Sequence, residues 1–304
     1  MISLSIQEDA LFRLSQTPNP PRSLFVRGNS ALLSHPSIAI VGTRRASNIS
    51  LRAAYYFARE LSRMGFSIVS GLARGVDGAA HQGALEGVGS TIAVLGSGID
   101  RIYPREHEEL ADAITTKGGC IVSEHPEGVA PLRQHFPLRN RIIAGLSLGT
   151  LVVEAAERSG SLITAYYAAN FGREVFALTG RYDDLGFRGN HQLIQQGAKL
   201  VTSVVDIVSE FEAFFPRVPQ ERSQEIPDEL RSLQSVFRSL NGNACLEELF
   251  SQGSLSFSEL MLQLATAQRL KLVKELSPQN FSWVGKFQDL PNHIGFRKIE
   301  GTGS

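Results

Sequence analysis

The sequence predicts an α/β protein: a mostly parallel, doubly wound sheet followed by a small C-terminal α domain of the winged helix-turn-helix type. Three observations carry this prediction. Short apolar runs alternate with helical patterns, glycine and arginine follow the ends of those runs, and the composition changes between residues 215 and 228. With 304 residues and 42% hydrophobic content, the chain can bury a full core and divide into one large and one small domain.

Seven apolar runs are the predicted strands of the sheet. Each is almost continuously apolar, as in a strand buried on both faces, and the stretches between them are long enough for a helix. This alternation predicts a parallel sheet with helices on both faces. Right-handed crossovers then bring the residues after each strand to the carboxyl rim, where open sheets bind ligands. The runs are residues 37–41, 67–70, 91–95, 120–123, 150–153, 174–178 and 199–201.

The domain boundaries follow from composition and periodicity. Three prolines among polar residues mark an interdomain linker. Helical spacing at 230–240, 245–250 and 257–264, with a hairpin up to residue 284, predicts the winged helix-turn-helix. The predicted parts are an N-terminal extension at 1–36, a core at 37–215, the linker at 216–228, the small domain at 229–285 and a tail at 286–304.

Positive charge is concentrated locally, although the formal net charge is zero. Residues 10–59 contain seven arginines and no acidic residue, and residues 128–153 contain three arginines and no acidic residue. Arginine makes up 24 of the 30 basic residues, and its planar guanidinium suits phosphates and flat rings. We therefore expect an anionic ligand, nucleic acid or nucleotide, where the two windows meet.

The segment after the first predicted strand, Gly-Thr-Arg-Arg-Ala-Ser at 42–47, has the composition of an anion pocket. Small residues let backbone amides approach a phosphate, Arg44 supplies charge, and Ser47 can cap the next helix. A plain turn with solvated arginines is the alternative.

Glycines punctuate the segment after the second predicted strand, where Gly71 and Arg74 are candidate contacts. Asp77 and His81 lie one helical turn apart in the same segment. They form either a metal or acid–base pair, or a capping aspartate and a hydrogen-bonded core histidine.

Residues 133–141 combine cations, a flat ring and an amide within nine positions. Single-stranded nucleic acid is held by this mixture, because arginines bind the backbone and an aromatic ring stacks on a base. Alternatively, the ring anchors the loop in the core and the arginines pair with Glu154 or Glu157. The predicted contacts are Arg133, Phe136, Arg139, Asn140 and Arg141. A helix start at Gly160, Ser161 and Thr164 offers amides and hydroxyls to another phosphate.

Several classes of function are excluded or lack support. The sequence has no Gly-Lys-Ser/Thr triplet, no complete dinucleotide fingerprint and no nucleophile elbow. Cys120 and Cys245 form neither a disulfide framework nor a metal site. We therefore predict no catalytic residue, no cofactor and no metal. The chain has no secretion signal or apolar membrane span, so we expect a cytoplasmic protein without a membrane partner.

Motifs at residues 20 to about 210 make the chain similar to a known family, DNA-processing protein A, called DprA or Smf. The matching segments are Pro20-Pro21-x-x-Leu24-Phe25-Val26-Arg27-Gly28, Val41-Gly42-Thr43-Arg44, Ser70-Gly71-Leu72-Ala73-Arg74-Gly75-Val76-Asp77, Gly96-Ser97-Gly98-Ile99-Asp100-x-x-Tyr103-Pro104, Ser123-Glu124-x-Pro126, Phe136-Pro137-x-Arg139-Asn140-Arg141, Val153-Glu154-Ala155, Arg158-Ser159-Gly160-Ser161-Leu162-x-Thr164-Ala165 and Gly189-Asn190-x-x-Ile194-x-x-Gly197-Ala198.

This resemblance implies an extended Rossmann-like core that binds single-stranded DNA and forms a homodimer. It also implies a partner, the RecA recombinase, loaded onto incoming strands in natural transformation (competence) and DNA recombination. Such a protein is a mediator and not an enzyme. The contacts it implies are Arg44, Ser47, Arg133, Phe136, Arg139, Arg141, Gly160, Ser161 and Thr164.

The chain departs from the family pattern in four places. Asn48-Ile49 replaces a Tyr-Gly pair, and Thr179-Gly180 replaces Pro-Gly. The family's helical domain before the core is expected to be absent here. The presumed recognition helix at 256–268 contains Glu259 and no basic residue, so we expect a protein contact there and not duplex DNA.

A second hypothesis is an enzyme similar to nucleotide 5′-monophosphate phosphoribohydrolases. Its basis is Gly149-Thr150 followed by Glu154. Against it, Ser147-Leu148 replaces the paired glycines of those enzymes, and a mononucleotide site has no need of the 136–141 segment.

Overall fold

The protein is described by a computed structural model covering residues 2–5, 11–214, 227, 230–240, 242–252, 255–270 and 272–283. The chain divides into two compact units, Met1–Pro216 and Arg217–Ser304. Of the predicted linker, only Pro227 lies within the described residues, and the predicted tail lies outside them.

The first unit is built on a nine-stranded sheet with the order β1-β2-β6-β5-β4-β3-β7-β8-β9. Its strands from β3 onward pair in parallel, and all seven predicted strands are present. The strands are β1 (Ile2–Ser5), β2 (Ser23–Gly28), β3 (Ser37–Val41), β4 (Ser67–Ser70), β5 (Thr91–Gly98), β6 (Cys120–His125), β7 (Gly149–Val152), β8 (Glu174–Leu178) and β9 (Lys199–Val201).

Helices cover both faces of this sheet, as predicted. Alternate residues of β3 point to opposite layers: Ile38 and Ile40 belong to one core cluster, and Ala39 and Val41 to the other. The helices are α1 (Phe12–Ser15), α2 (Asn48–Arg63), α3 (Val76–Ala84), α4 (Glu108–Thr116), α5 (His135–Leu146), α6 (Ser161–Asn170), α7 (Arg188–Gln195) and α8 (Val204–Val208). Residues of α2, α3 and α8 pack in the first cluster, and residues of α1, α5 and α6 in the second.

Two antiparallel strands, β1 and β2, extend the sheet from the region predicted as an N-terminal extension. Neither strand was predicted, because a strand buried on one face is not a continuous apolar run. In β2 only Leu24 and Val26 are buried, and Phe25 between them is partly exposed, which is the pattern of a strand buried on one face.

The sheet order reverses direction between β3 and β7. From β3 the chain proceeds outward through β4 and β5, whereas from β7 it proceeds the opposite way through β8 and β9. The segments that follow β3 and β7 therefore leave toward different faces, and a crevice opens between them. Ligands of open α/β sheets bind at such a switch point.

The described part of the second unit combines three helices with a three-stranded antiparallel sheet ordered β10-β12-β11, which agrees with the predicted winged-helix-like domain. Leu233, Phe237, Leu260, Leu264 and Trp283 belong to its core. Its elements are α9 (Arg231–Ser239), β10 (Asn243–Cys245), α10 (Leu246–Gln252), α11 (Phe257–Arg269), β11 (Val273–Ser277) and β12 (Asn280–Trp283).

Within the described ranges, no helix combines the length and the apolar character needed to cross a bilayer.

Candidate functional site

A cavity of about 870 Å³ opens at the switch point, and we call it the basin. The loop after β3, the start of α5 and the start of α6 line it. Eight of the twelve predicted contact residues belong to its lining: Arg44, Arg133, Phe136, Arg139, Asn140, Gly160, Ser161 and Thr164. A smaller cavity of about 180 Å³ shares Arg44, Phe136 and Arg139 with the basin and adds Gly71 and Arg74.

Phe136 is the aromatic platform of the basin. The Arg44 guanidinium carbon lies 5.4 Å from the centre of its ring, a cation–π contact. The Tyr103 ring lies 5.5 Å from it, tilted by 45°. Gly96 packs against the same ring so closely that a Cβ there would lie 2.9 Å from it. The ring is therefore held by packing from several sides while it remains partly exposed to the basin.

Three exposed arginines carry the free positive charge of the basin. Arg44, Arg45 and Arg133 are exposed, and none of them forms an ion pair with an acidic side chain in the described part of the chain. Such cations keep their full charge available to an anionic ligand.

Arg139, in contrast, is a buried structural residue, with 6% of its surface exposed. Its Nη1 donates to the carbonyl oxygen of Gly71 at 2.6 Å and to that of Val94. Burial lowers the pKa of Arg139 to about 10, and the negative charge of Asp77 opposes this shift, so the guanidinium stays protonated at neutral pH. A Cβ on Gly71 would lie 2.5 Å from the guanidinium nitrogens, so the glycine makes room for Arg139.

Two other predicted arginines are paired with acids. Arg141 Nη2 donates to Glu124 Oε1 at 2.6 Å and to Oε2 at 2.7 Å, and this pair is partly buried. Arg74 pairs with the exposed carboxylate of Glu106. For the arginines at 133–141, the alternative was pairing with Glu154 or Glu157, and Arg141 pairs with Glu124 instead. Arg141 does not line either cavity.

The opposite wall of the basin is the first turn of α6. Gly160 precedes the helix without a side-chain cap. Asn140 Nδ2 donates to the carbonyl oxygen of Gly160 at 3.2 Å, and the hydroxyls of Ser159 and Ser161 lie 2.7 Å apart. The positive end of the helix dipole and these hydroxyls suit a phosphate or sugar.

Ser47 has a structural contact that the sequence analysis did not foresee. Its hydroxyl donates to Glu154 Oε2 at 2.9 Å and accepts from the Ser50 N–H at 3.2 Å, which caps α2. Its own N–H donates to the same carboxylate oxygen at 3.0 Å. Ser47 is outside the basin lining, so it fastens the loop after β3 to the end of β7.

His81 is a buried, hydrogen-bonded histidine, as the structural alternative expected, but Asp77 is not a cap: the N-cap of α3 is Gly75, without a side-chain hydrogen bond. Asp77 accepts from the N–H of Gly71 at 3.1 Å and of Ala73 at 3.4 Å, and burial raises its pKa. His81 Nε2 accepts from the Leu72 N–H at 3.3 Å. Burial, followed by the charges of His107 and Arg139, lowers the pKa of His81 to about 3, so it is neutral.

The Thr91 hydroxyl fixes the tautomer of His81. It lies 2.7 Å from His81 Nδ1 and donates its proton to the carbonyl oxygen of Ile68 at 2.6 Å. The proton between the two side chains therefore belongs to Nδ1. Within the described ranges, no group of three or more His, Cys, Asp or Glu side chains is placed to hold a metal ion.

The basin also includes residues that were not among the predicted contacts, notably Arg45, Tyr103 and Ser159. Arg45 lies in the first acid-free window, and Tyr103 and Ser159 lie in motifs singled out above. The concentration of arginine at residues 10–59 could have indicated Arg45, whereas only the folded chain brings Tyr103 next to Phe136.

Comparisons with known proteins agree on one family. Residues 6–212 match the family model for DNA recombination-mediator protein A. The chain is 47% identical to protein Smf of Escherichia coli over 220 residues, which cover 71% of this chain and 59% of that protein. It is 46% identical to DNA processing protein DprA of Bacillus subtilis over 200 residues, covering 66% of this chain and 67% of that protein.

Two solved structures have the same fold. DNA processing protein A of Streptococcus pneumoniae superposes with a TM-score of 0.65 at 45% identity, covering 69% of this chain and 74% of that one. DNA processing protein A of Helicobacter pylori, from a structure that describes its single-stranded DNA binding mode, superposes with a TM-score of 0.61 at 29% identity. That match covers 67% of this chain and 93% of the other.

Proposed function

The chain belongs to the DNA recombination-mediator protein A family, and from this membership and the geometry of the basin we propose that it binds single-stranded DNA there. The observation that carries the proposal is the arrangement around Phe136. A partly exposed ring lies at the switch point of the sheet, beside exposed arginines that form no ion pair within the described residues.

This combination favours a single strand over a duplex. An aromatic ring stacks on bases only where those bases are unpaired, and stacking tolerates any sequence. Arg44, Arg45 and Arg133 then neutralise phosphates, while Asn140 and the serines of α6 reach sugars or base edges. The similarity to the Helicobacter pylori protein, whose structure concerns single-stranded DNA binding, supports the same ligand class.

We further propose the role that the family resemblance implies. The chain, as a homodimer, mediates loading of the RecA recombinase onto the bound strand and protects incoming DNA in transformation and recombination. In this role it acts as a cytoplasmic mediator without catalysis. The matched region spans 59% of the Escherichia coli relative. The proposed role therefore concerns only the contacts that this matched region can make.

The alternative, a nucleotide phosphoribohydrolase, rests on Glu154. That carboxylate is 7% exposed and accepts the N–H and hydroxyl of Ser47. A general acid or base needs access to its substrate, so this arrangement favours a structural role for Glu154. Release of a free base from nucleoside monophosphates is the assay for the alternative.

The test is fluorescence anisotropy of a labelled poly-dT strand at several salt concentrations, with a duplex of equal length as competitor. We expect wild type to prefer the single strand. Three neutralised phosphates give a slope of log K against log salt of about −2, since each contributes about 0.7 on single strands.

Two substitutions separate the contributions of charge and ring. Arg44→Ala should flatten that slope by about 0.7. Phe136→Ala should weaken binding roughly fivefold or more through lost stacking. Leu138→Ala is the matched control, because Leu138 is exposed on the same helix and lies outside the basin lining. Absence of binding at low salt, or variants that bind as wild type, would contradict the proposal.

A further inference from the structure

A second open groove, of about 560 Å³, lies between α2 and α3. We call it the α2–α3 groove. Arg52, Tyr55, Tyr56 and Arg59 line one wall, at positions i, i+3, i+4 and i+7 of α2, and therefore form one face of that helix. The groove is distinct from the basin, because none of these side chains lines the basin.

Arginine and tyrosine are interleaved along this wall. The Arg59 guanidinium carbon lies 6.0 Å from the centre of the Tyr55 ring and 5.9 Å from that of Tyr56. Tyr56 is 47% exposed. Arg52 is exposed and forms no ion pair with any acid in the described part of the chain. Cations that alternate with partly exposed rings are the pattern that holds unpaired nucleic acid.

Acidic residues in the neighbourhood neutralise only part of this charge. Glu60 accepts from Arg59 Nε at 2.8 Å and from Arg63 Nη1 at 3.2 Å, and Glu86 accepts from the Tyr55 hydroxyl. Glu60 and Glu86 are outside the groove lining, whereas Arg52 and Arg59 belong to it. The groove therefore offers a cationic surface to a ligand.

Two glycines at the start of α3, the N-cap Gly75 and Gly78, form part of the groove beside the loop that follows β3. Gly75 and Gly78 line the groove, and a Cβ on Gly75 would lie 2.4 Å from the carbonyl oxygen of Thr43 and 2.9 Å from the backbone of Arg44. The floor of the groove thus touches the backbone of the loop that supplies Arg44 to the basin. Arg45 is the next residue of that loop, and α2 begins three residues later, at Asn48.

We propose that the α2–α3 groove binds the continuation of the same single strand after it leaves the basin past Arg44 and Arg45. This inference rests on the proposed function of the basin. From Arg52 to Arg59 the wall is about 10 Å long, at about 1.5 Å per helical residue. That length matches up to about three phosphates at about 3.4 Å spacing, and fewer if the strand is extended.

The test is a ladder of labelled poly-dT strands from about 4 to about 20 nucleotides, bound to the full chain. Wild-type affinity should rise with length beyond what fills the basin. Arg52→Ala and Tyr56→Ala should each lower affinity for the long strands about fivefold or more and leave the shortest binding strand unaffected. Arg52→Ala should also flatten the salt slope by about 0.7 for long strands alone.

Controls distinguish a failure of this inference from a failure of the proposed function. Arg22→Ala removes an exposed arginine that lines neither cavity and should bind every length as wild type. Phe136→Ala should weaken binding at every length. If the groove variants bind long strands as wild type while Phe136→Ala does not, the groove inference is wrong and the basin proposal stands.

Two other outcomes would also overturn the groove inference. If the groove variants lower the affinity for short and long strands equally, the groove residues affect binding in the basin and do not contact the strand themselves. Wild type that binds no strand of any length would overturn both proposals. If the groove instead binds an acidic protein segment, the groove variants should bind long strands as wild type does, and the inference is wrong.

Discussion

The arginines near the basin differ in their surroundings, and these surroundings decide what each can do. Arg44, Arg45 and Arg133 are exposed and available to a ligand. Arg139 is buried and donates to two carbonyl oxygens. Arg141 is held by Glu124. Residue type and local charge predict all of these arginines except Arg45 as contacts. Neither property shows whether a partner from elsewhere in the chain already binds the guanidinium.

Substitution of Arg139 should therefore affect stability before binding. Arg139→Ala leaves the carbonyls of Gly71 and Val94 without their donor and removes the positive charge that offsets buried Asp77. We expect the free energy of unfolding to fall by about 3 kcal/mol. Urea denaturation of this variant beside Arg44→Ala would show the difference, since the exposed Arg44 should cost less than about 0.5 kcal/mol. Equal stability of the two variants would contradict the structural role of Arg139.

At the scale of elements, the loop after β3 is held in place from two sides. Glu154, just after β7, accepts the hydroxyl and N–H of Ser47, while its own carbonyl oxygen accepts the Thr43 N–H at 2.8 Å. From the other side, Gly75 packs on the same loop with a positive φ of 76°. These contacts orient the backbone that presents Arg44.

We expect Ser47→Ala to destabilise the protein by about 1 kcal/mol, because α2 loses its cap. Affinity for poly-dT should change less than twofold, since Ser47 is outside the basin lining. Thermal or urea unfolding and the anisotropy assay would measure the two effects, with Ser34→Ala, another exposed serine, as the control. A loss of affinity equal to that of Arg44→Ala, with unchanged stability, would restore Ser47 to the set of direct contacts.

Sequence patterns predicted the parallel strands closely but missed β1 and β2. Strands buried on both faces are continuous apolar runs, so β8 and β9 were predicted with their observed bounds. In β5 the strand continues through Gly96-Ser97-Gly98, three residues beyond the predicted end at residue 95. Pairing with β6 as far as His125 keeps that glycine-rich stretch extended.

At the scale of the whole molecule, His81 links global stability to pH. Its pKa in the folded protein is about 3, below the unfolded value of 6.5, so the unfolded chain takes up the proton first. Stability from this group is complete above about pH 6.5 and is lost as the pH falls, by about 1.4 kcal/mol per unit and about 5 kcal/mol in total by pH 3. Burial raises the pKa of Asp77, so the contribution of this carboxyl to stability is lost as the pH rises and not as it falls.

A comparison of wild type with His81→Gln isolates this contribution. The free energy of unfolding, measured by urea at pH 7, 6 and 5, should fall for wild type by about 2 kcal/mol more than for the variant between pH 7 and pH 5. His35→Gln, at an exposed histidine, is the control. Parallel profiles for wild type and His81→Gln would show that His81 does not remain neutral in the folded protein.

The sequence by itself determined the fold class, the family and the region of the basin. Period, composition and motif are local properties, and they identified the buried strands, the acid-free arginine windows and Phe136. Only the tertiary structure decided which side chains remain free. Arg139 meets the carbonyl oxygen of Gly71 across 68 positions of sequence, and Ser47 meets Glu154 across 107. Such partners depend on the order of the strands in the sheet. The same topology brings Tyr103 against Phe136 and the floor of the α2–α3 groove against the loop of Arg44.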